Sequence, residues 1–175
     1  KVYSRLKNKK EEVLDCVVNP LGIREYRFDA EKGFFLNGKY RKLIGTSRHQ
    51  DYKGMGNALR DEMHIRDVQL SKDMGSNFLR VAHYPQDPVV MQMCDKLGLL
   101  TSVEIPVVNA ITQSKAFMDN CVEQVTEMVY QNYNYPSVII WAYMNEVLLR
   151  PPFNPENRTE RADYMTFLHQ IASAV

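Results

Sequence analysis

Glu146 follows an asparagine, Asn145, and closes the run Ser137-Val138-Ile139-Ile140-Trp141-Ala142-Tyr143-Met144. Breaking a glycosidic bond calls for one group that protonates the departing oxygen. It also calls for a second carboxylate that attacks the carbon or activates water. A glutamate serves as the acid near neutral pH when burial or neighbouring charge raises its pKa. The end of a buried strand beside Trp141 would supply that setting. Asn145 would donate a hydrogen bond to a sugar hydroxyl. Taken alone, the pair is equally a strand-end glutamate capping a loop, next to a turn asparagine.

Other polar residues have types that suit the same chemistry. His83-Tyr84-Pro85 combines an imidazole, a phenol and a rigid ring, a set suited to the rim of a sugar site. Arg80, always charged, could hold a catalytic carboxylate ionised or form an internal salt bridge. His49 and Asp51 could bind sugar hydroxyls. Glu104 could be a second carboxylate or the ionic partner of Arg80, and the pairing is the favoured reading.

These groups converge only if the elements beneath them lie side by side. Pro136 bounds the run before Glu146, which is too short for a helix and rich in β-branched residues, so it reads as a buried strand. From Leu43 the chain repeats strand, loop, helix. The strands are Leu43–Thr46, Asn77–Ala82, Leu99–Glu104 and the run from Ser137. The helices are Asp61–Met74, a helix capped by Asp87 with Pro88 at its first position and stopped at Gly98, one starting at Ser114, and one from about Thr159. In the first helix Met63, Leu70 and Met74 have helical spacing, as do Ile65 and Val68. Ser71 interrupts the expected buried face by bonding back within the helix. Phe117, Cys121, Val125 and Met128 form one face of the third helix, and Met165, Leu168, Ala172 and Val175 one face of the last. Four such units predict parallel strands joined by right-handed crossovers, in an open doubly wound sheet or in half of an eight-unit barrel. In a parallel α/β barrel, catalytic groups sit at the carboxyl ends of the strands, where His49, Asp51, His83, Glu104, Asn145 and Glu146 all fall. Gly54-x-Gly56 is too sparse for a phosphate loop, which disfavours a nucleotide fold.

The opening of the chain differs. Val13–Val18 and Ile23–Phe28 read as strands, and Asn37-Gly38 suits the primed turn of a hairpin between Phe34–Leu36 and Lys39–Leu43. With 22 basic and 21 acidic residues among 175, there is no electrostatic reason to expect nucleic acid or a membrane surface. No apolar run approaches the roughly 20 residues that cross a bilayer. Cys16, Cys94 and Cys121 make neither a disulfide framework nor a metal-finger spacing, and the last two read as buried small hydrophobes.

Two stretches carry a resemblance. Asn77-Phe78-Leu79-Arg80-Val81-Ala82-His83-Tyr84-Pro85, continuing through Cys94-Asp95-Lys96-Leu97-Gly98-Leu99-Leu100, resembles one motif of the family 2 glycoside hydrolases. Asn134-Tyr135-Pro136-Ser137-Val138-Ile139-Ile140-Trp141, running to Asn145-Glu146, resembles another. Gly33–Gly38 and Arg48-His49-Gln50-Asp51 resemble the barrel entrance of that family. The resemblance implies that Glu146 is the general acid/base and that Asn145 contacts the sugar beside the reacting carbon. It implies that His83, His49 and Asp51 line the sugar site, with Arg80 supporting the nucleophile. Glu104 and Trp141 are supporting residues.

Val81, Tyr135 and Ala142 depart from residues usual in the family, none at the proposed chemistry. In magnesium-dependent members a glutamate and a histidine after the third strand bind the metal. Pro106-Val107-Val108-Asn109-Ala110 offers neither, so no catalytic metal and no cofactor are expected. The family's nucleophile is a second glutamate on the seventh barrel strand, which is not Glu104 and is expected beyond Val175. The resemblance therefore implies residues 1–33 as the last strands of an immunoglobulin-like β-sandwich domain. Residues 34–175 would be the first four strand–helix units of a (β/α)8 TIM barrel, an α/β fold. The intact protein is expected to be a bacterial cytoplasmic or periplasmic retaining exo-β-glycosidase whose partner is a carbohydrate with a terminal β-linked sugar. The expected activity is that of a β-galactosidase, with β-glucuronidase or β-mannosidase as alternatives. An expectation of another class is a non-catalytic half-barrel that pairs with its own copy as a homo-oligomer, because its strand edges and inner face are uncovered.

Overall fold

The computed structural model describes residues 1–154 and 156–175. An antiparallel ribbon of β1 (Val2–Lys7) and β2 (Val13–Asn19) opens the chain and is exposed along its whole length. An antiparallel meander follows: β3 (Tyr26–Asp29), β4 (Gly33–Leu36) and β5 (Lys39–Arg41). Asn37 and Gly38, at φ 49° and 74°, make the turn between β4 and β5, as a primed hairpin requires. Phe34 is buried between the rings of Tyr26 and Phe28.

The rest is a mixed sequence of parallel β/α units. The strands β6 (Gly45–Arg48), β7 (Phe78–Val81), β8 (Leu100–Glu104) and β9 (Val138–Ala142) lie in the order β6-β7-β8-β9, every pair parallel. Parallel pairs need crossovers. They are made by α1 (Asp61–Asp73), α2 (Pro88–Leu97) and α3 (Lys115–Asn132), and α4 (Arg158–Ala174) follows β9. Gly45 begins β6 because a Cβ there would lie 1.7 Å from the Phe78 carbonyl oxygen of β7. The caps fall where the residues require them. The Asp87 carboxylate accepts from Val89 N at 2.9 Å, Gly98 ends α2 at φ 69°, and Ser114 Oγ accepts from Phe117 N at 3.2 Å. No helix among the described residues is long and apolar enough to cross a membrane.

One core cluster joins Leu79 of β7 to Val68 of α1 and to Val90 and Cys94 of α2; a larger one packs β8 and β9 against α3 and α4. Burial pushes the Cys94 thiol up to about 12, and Cys94 and Cys121 are buried free thiols, as their apolar surroundings predict. Cys121 and Met128 of α3 face the core, with Phe117 and Val125 packed beside them.

Elsewhere the structure corrects the pattern. The buried face of α1 is His64, Val68 and Ser71, whereas Leu70 and Met74 are 53% and 70% exposed. His64 is admitted because a guanidinium meets its ring, and Ser71 because its hydroxyl donates to Asp67 O at 3.0 Å. On α4 the buried positions are Tyr164, Leu168 and Ile171. Tyr164 takes the fully buried place, its hydroxyl donating to Val147 O at 2.6 Å, while Met165 packs partly buried against the same core. The strand predicted over Ile23–Phe28 shrinks to its second half, and Ile23 is 95% exposed. Arg24 is taken for another use. Its Nε and Nη2 donate to the carbonyls of Pro136 and Val138, at 3.2 and 2.7 Å, pinning the opening of the chain to the start of β9.

At that amino-terminal end of the sheet is a cavity of about 460 Å³, lined by Arg24, Leu43, Asn77, Asp95 and Pro136 among others. Burial raises the Asp95 carboxyl above its ordinary 3.8, against the lowering effect of Ser137, whose N–H it accepts at 2.9 Å. A raised folded-state pKa contributes stability below the unfolded value, and that contribution is lost as pH rises through the folded value. The ionised carboxylate therefore costs stability at neutral pH. Asp95→Asn keeps an acceptor for Ser137 N–H and should raise Tm at neutral pH, with the gain vanishing below 3.8. Thermal melts across pH check this; a lower Tm for the variant at neutral pH contradicts it.

Candidate active site

The groups singled out in the sequence lie at the carboxyl ends of β6–β9. Glu104, the last residue of β8, is buried, 1% exposed. Its Oε2 accepts from Arg80 Nη2 at 3.0 Å, and its Oε1 faces His83 Nδ1 at 3.0 Å. The favoured Arg80–Glu104 pairing is therefore the one observed. A carboxylate oxygen only accepts, so this contact calls for a proton on His83 Nδ1, the nitrogen that Arg80 Nη2 also approaches at 3.3 Å, and it leaves Nε2 as the ring nitrogen not engaged by Glu104. Arg80 Nη2 also donates to Asn145 Oδ1 at 2.6 Å. One guanidinium thus ties β7 to the chain beyond β9, with the β8 carboxylate as counter-charge.

Asn145 lies three residues past the end of β9. Its backbone continues the sheet pairing: its N–H donates to Val107 O at 2.8 Å and its carbonyl accepts from Asn109 N at 3.0 Å. Its side chain is buried, and because Arg80 takes Oδ1, the amide nitrogen Nδ2 is turned to where it has no partner among the described residues. A buried donor without an acceptor is uncommon and calls for an explanation.

Glu146 departs from its expected setting. It does not end the buried strand, which stops at Ala142, and it is exposed, at φ 52°. Trp141 is half-buried and packs on the larger core cluster. His49 directly follows β6, and its ring meets that of His83 edge to face, centroids 4.8 Å apart. Asp51, two residues further on, is exposed. The structure thus brings Arg80, His83, Glu104 and Asn145 into one bonded cluster with His49 beside it, and leaves Asp51 and Glu146 outside that cluster.

Sequence reasoning missed the layer behind His49. Arg48, 7% exposed, donates from Nε and Nη2 to Asp67 Oδ2 at 3.0 and 2.8 Å and meets His64 Nδ1 at 3.0 Å. Tyr52 OH donates to the other Asp67 oxygen, a bond that raises the phenol's pKa. Arg48 Nη1 donates to Gln86 Oε1 at 2.5 Å. The available signal was His64 three and four residues from Asp67 and Val68, on the face that turns inward.

Pro106–Ala110, after β8, offer no carboxylate or imidazole, and among the described residues no three metal-ligating side chains cluster. The glutamate and histidine that the family resemblance implies for magnesium-dependent members are therefore not supplied by Pro106–Ala110.

The profile described as "Glycosyl hydrolases family 2, TIM barrel domain" matches residues 29–170. The chain belongs to glycoside hydrolase family 2. Its parallel β/α units match part of the TIM barrel domain of this family. A β-glucuronidase of Bacteroides fragilis is 42% identical over 147 residues, 80% of this chain and 21% of that protein. The β-galactosidase BoGH2A of Bacteroides ovatus is 32% identical over 145 residues, 80% of this chain and 17% of that protein. Among solved structures, Bacteroides uniformis β-glucuronidase 2, covalently bound to cyclophellitol-6-carboxylate aziridine, superposes with a TM-score of 0.86. It is 42% identical and covers 95% of this chain, which spans 20% of it. This family 2 chain therefore spans about a fifth of the length of the relatives it matches.

Proposed function

We propose that this chain is part of a retaining exo-β-glycosidase that releases a terminal β-linked glucuronic acid. Residues 1–33 would end a preceding β-sandwich domain, and residues 34–175 would form the first half of the barrel. The observation that carries the reading is Asn145. Its amide is oriented by Arg80, and its buried Nδ2 lacks an acceptor that a sugar hydroxyl would supply. Exposed apolar residues on α1 and after β9, Leu70, Met74, Leu148 and Leu149, fit a sheet that continues into further barrel units.

In the first step a carboxylate from the remaining half of the barrel attacks the anomeric carbon. As the bond to the aglycone breaks, Glu146 gives its proton to the departing oxygen. In the second step the Glu146 carboxylate takes a proton from water. The water oxygen attacks the anomeric carbon and the nucleophile is released, so configuration is retained. Asn145 donates to a hydroxyl next to the reacting carbon. His83, with Nδ1 committed to Glu104, meets a hydroxyl through Nε2, and His49 and Asp51 complete the wall. Arg80 holds the Asn145 amide and screens negative charge at the site. Glu146 gains the desolvation an acid needs from substrate and from the remaining half of the barrel.

For the sugar, the 41 and 42% identity to β-glucuronidases against 32 to 36% to β-galactosidases favours glucuronate over the galactose that the family resemblance first suggested. Assays of the full-length protein on 4-nitrophenyl β-glucuronide, β-galactoside and β-mannoside decide it. The glucuronide should be preferred in kcat/KM by at least about 10²-fold, the margin of a site built to bind a carboxylate. A preference for the galactoside would return the assignment to β-galactosidase.

A further inference from the structure

His49 and His83 project from the ends of adjacent strands, and a side chain from neither strand fixes how far apart those ends lie. Gln86, three residues past His83, is 9% exposed. Its Nε2 donates to the carbonyl of Arg48 at 2.6 Å and to the carbonyl of Ala82 at 3.1 Å. These are the residues directly before the two histidines. Ala82 N also donates to the Arg48 carbonyl, at 3.1 Å, so one amide group extends the β6–β7 ladder past its last strand residue.

The amide is held in one orientation. A rotation that exchanged its oxygen and nitrogen would set Nε2 against Arg48 Nη1, which donates to Oε1 at 2.5 Å. The guanidinium is itself locked by Asp67, which takes both Nε and Nη2. Both ends of the Gln86 amide are engaged on the protein. Deleting one member of such a satisfied buried network strands the others.

We propose that Gln86 is a positioning residue. By clamping the peptide units before His49 and His83, it sets the spacing and tilt of the two imidazoles that face the sugar. The proposal rests on the reading of those histidines as walls of the sugar site.

In the full-length protein, Gln86→Met keeps the side chain's length and removes its polar contacts. It should lower kcat/KM on the preferred aryl β-glycoside about 10²-fold, the scale of a displacement near 1 Å. Gln86→Glu keeps the Arg48 contact, loses both donations to carbonyls, and should fall by a similar factor; it serves if the methionine variant does not fold. A merely structural role would cost the same factor in any background. A positioning role acts through the histidines, so in a His49→Ala/His83→Ala background Gln86→Met should cost less than about threefold. Full activity of both Gln86 variants, or an equal loss in the two backgrounds, overturns the proposal. If the double histidine variant keeps wild-type kcat/KM, the sugar-site reading itself fails and the positioning role with it.

Discussion

Glu146→Gln in the full-length protein should lower kcat/KM about 10³-fold on an alkyl β-glycoside and far less on a glycoside with a nitrophenolate leaving group. A general acid contributes roughly 10²–10⁴ to such a step, in proportion to how much the leaving group needs a proton. Alkoxide needs one and nitrophenolate hardly does. Release of the first nitrophenol should therefore stay fast while hydrolysis of the glycosyl-enzyme slows, because water has lost its base. The readout is a burst of nitrophenol followed by a slow steady state. A small anion such as azide needs no base, so it should restore turnover of the nitrophenyl substrate. Equal losses on both leaving groups would move Glu146 out of the acid/base role. Glu146 is exposed in this chain, so the proposed role requires substrate and the rest of the barrel to cover it.

Glu104→Ala should be the most costly change to the bonded cluster, and it should fail in a different way. The carboxylate is 1% exposed and serves Arg80 and His83 together. Removing one partner of a fully buried ion pair costs about 3–5 kcal/mol, because the other charge is stranded. The Arg80 side chain is 40% exposed and can turn to water, which brings the expected loss down to about 2 kcal/mol. Activity should fall as well, by about 10²-fold in kcat/KM. His83 loses the acceptor that fixes its tautomer, and Arg80 loses the counter-charge that holds it against Asn145. Urea unfolding and aryl glycoside kinetics measure the two effects. Glu104→Gln, which keeps an acceptor of the same shape, should recover part of both. Azide should not rescue either variant, since in the proposed mechanism Glu104 neither attacks the sugar nor serves as base. Rescue by azide would make Glu104 a direct participant in the reaction and end its supporting role.

The readable parts of the sequence were those where local chemistry and tertiary need coincide. Asp87-Pro88, Gly98, Ser114 and Asn37-Gly38 act through their own backbone neighbours, so caps and turn fall where residue type puts them. The parallel strands were legible because apolar runs alternated with helical spacing. The Arg80–Glu104 pairing was legible because a permanent cation and a carboxylate end neighbouring strands of one sheet. Residues whose environment is made by distant chain were not legible. The face of α1 turns on whether His64 finds Arg48, a contact that outweighs the apolar spacing of Leu70 and Met74, whereas the bond from Ser71 back to the Asp67 carbonyl lies within the helix and was expected. Tyr164 enters the core only because the carbonyl of Val147 stands at its hydroxyl. Gln86 looked like any residue ahead of a helix, and its weight comes from two carbonyls, one of them 38 residues away. Glu146 was legible as a candidate and not as an environment. Its type and its neighbour Asn145 were visible, whereas its distance past the end of β9 depends on the pairing of Asn145 with the loop after β8.

The most direct test of the two-carboxylate mechanism is to trap the sugar on the enzyme. Full-length Glu146→Gln protein, mixed with 4-nitrophenyl β-glucuronide and quenched in acid, should carry one glucuronosyl group per chain. Digestion and mass spectrometry should place it on a glutamate outside residues 1–175. An unmodified protein that nonetheless turns over the substrate, or an ester on Glu104, would contradict a mechanism in which Glu146 is the acid/base and a second glutamate the nucleophile.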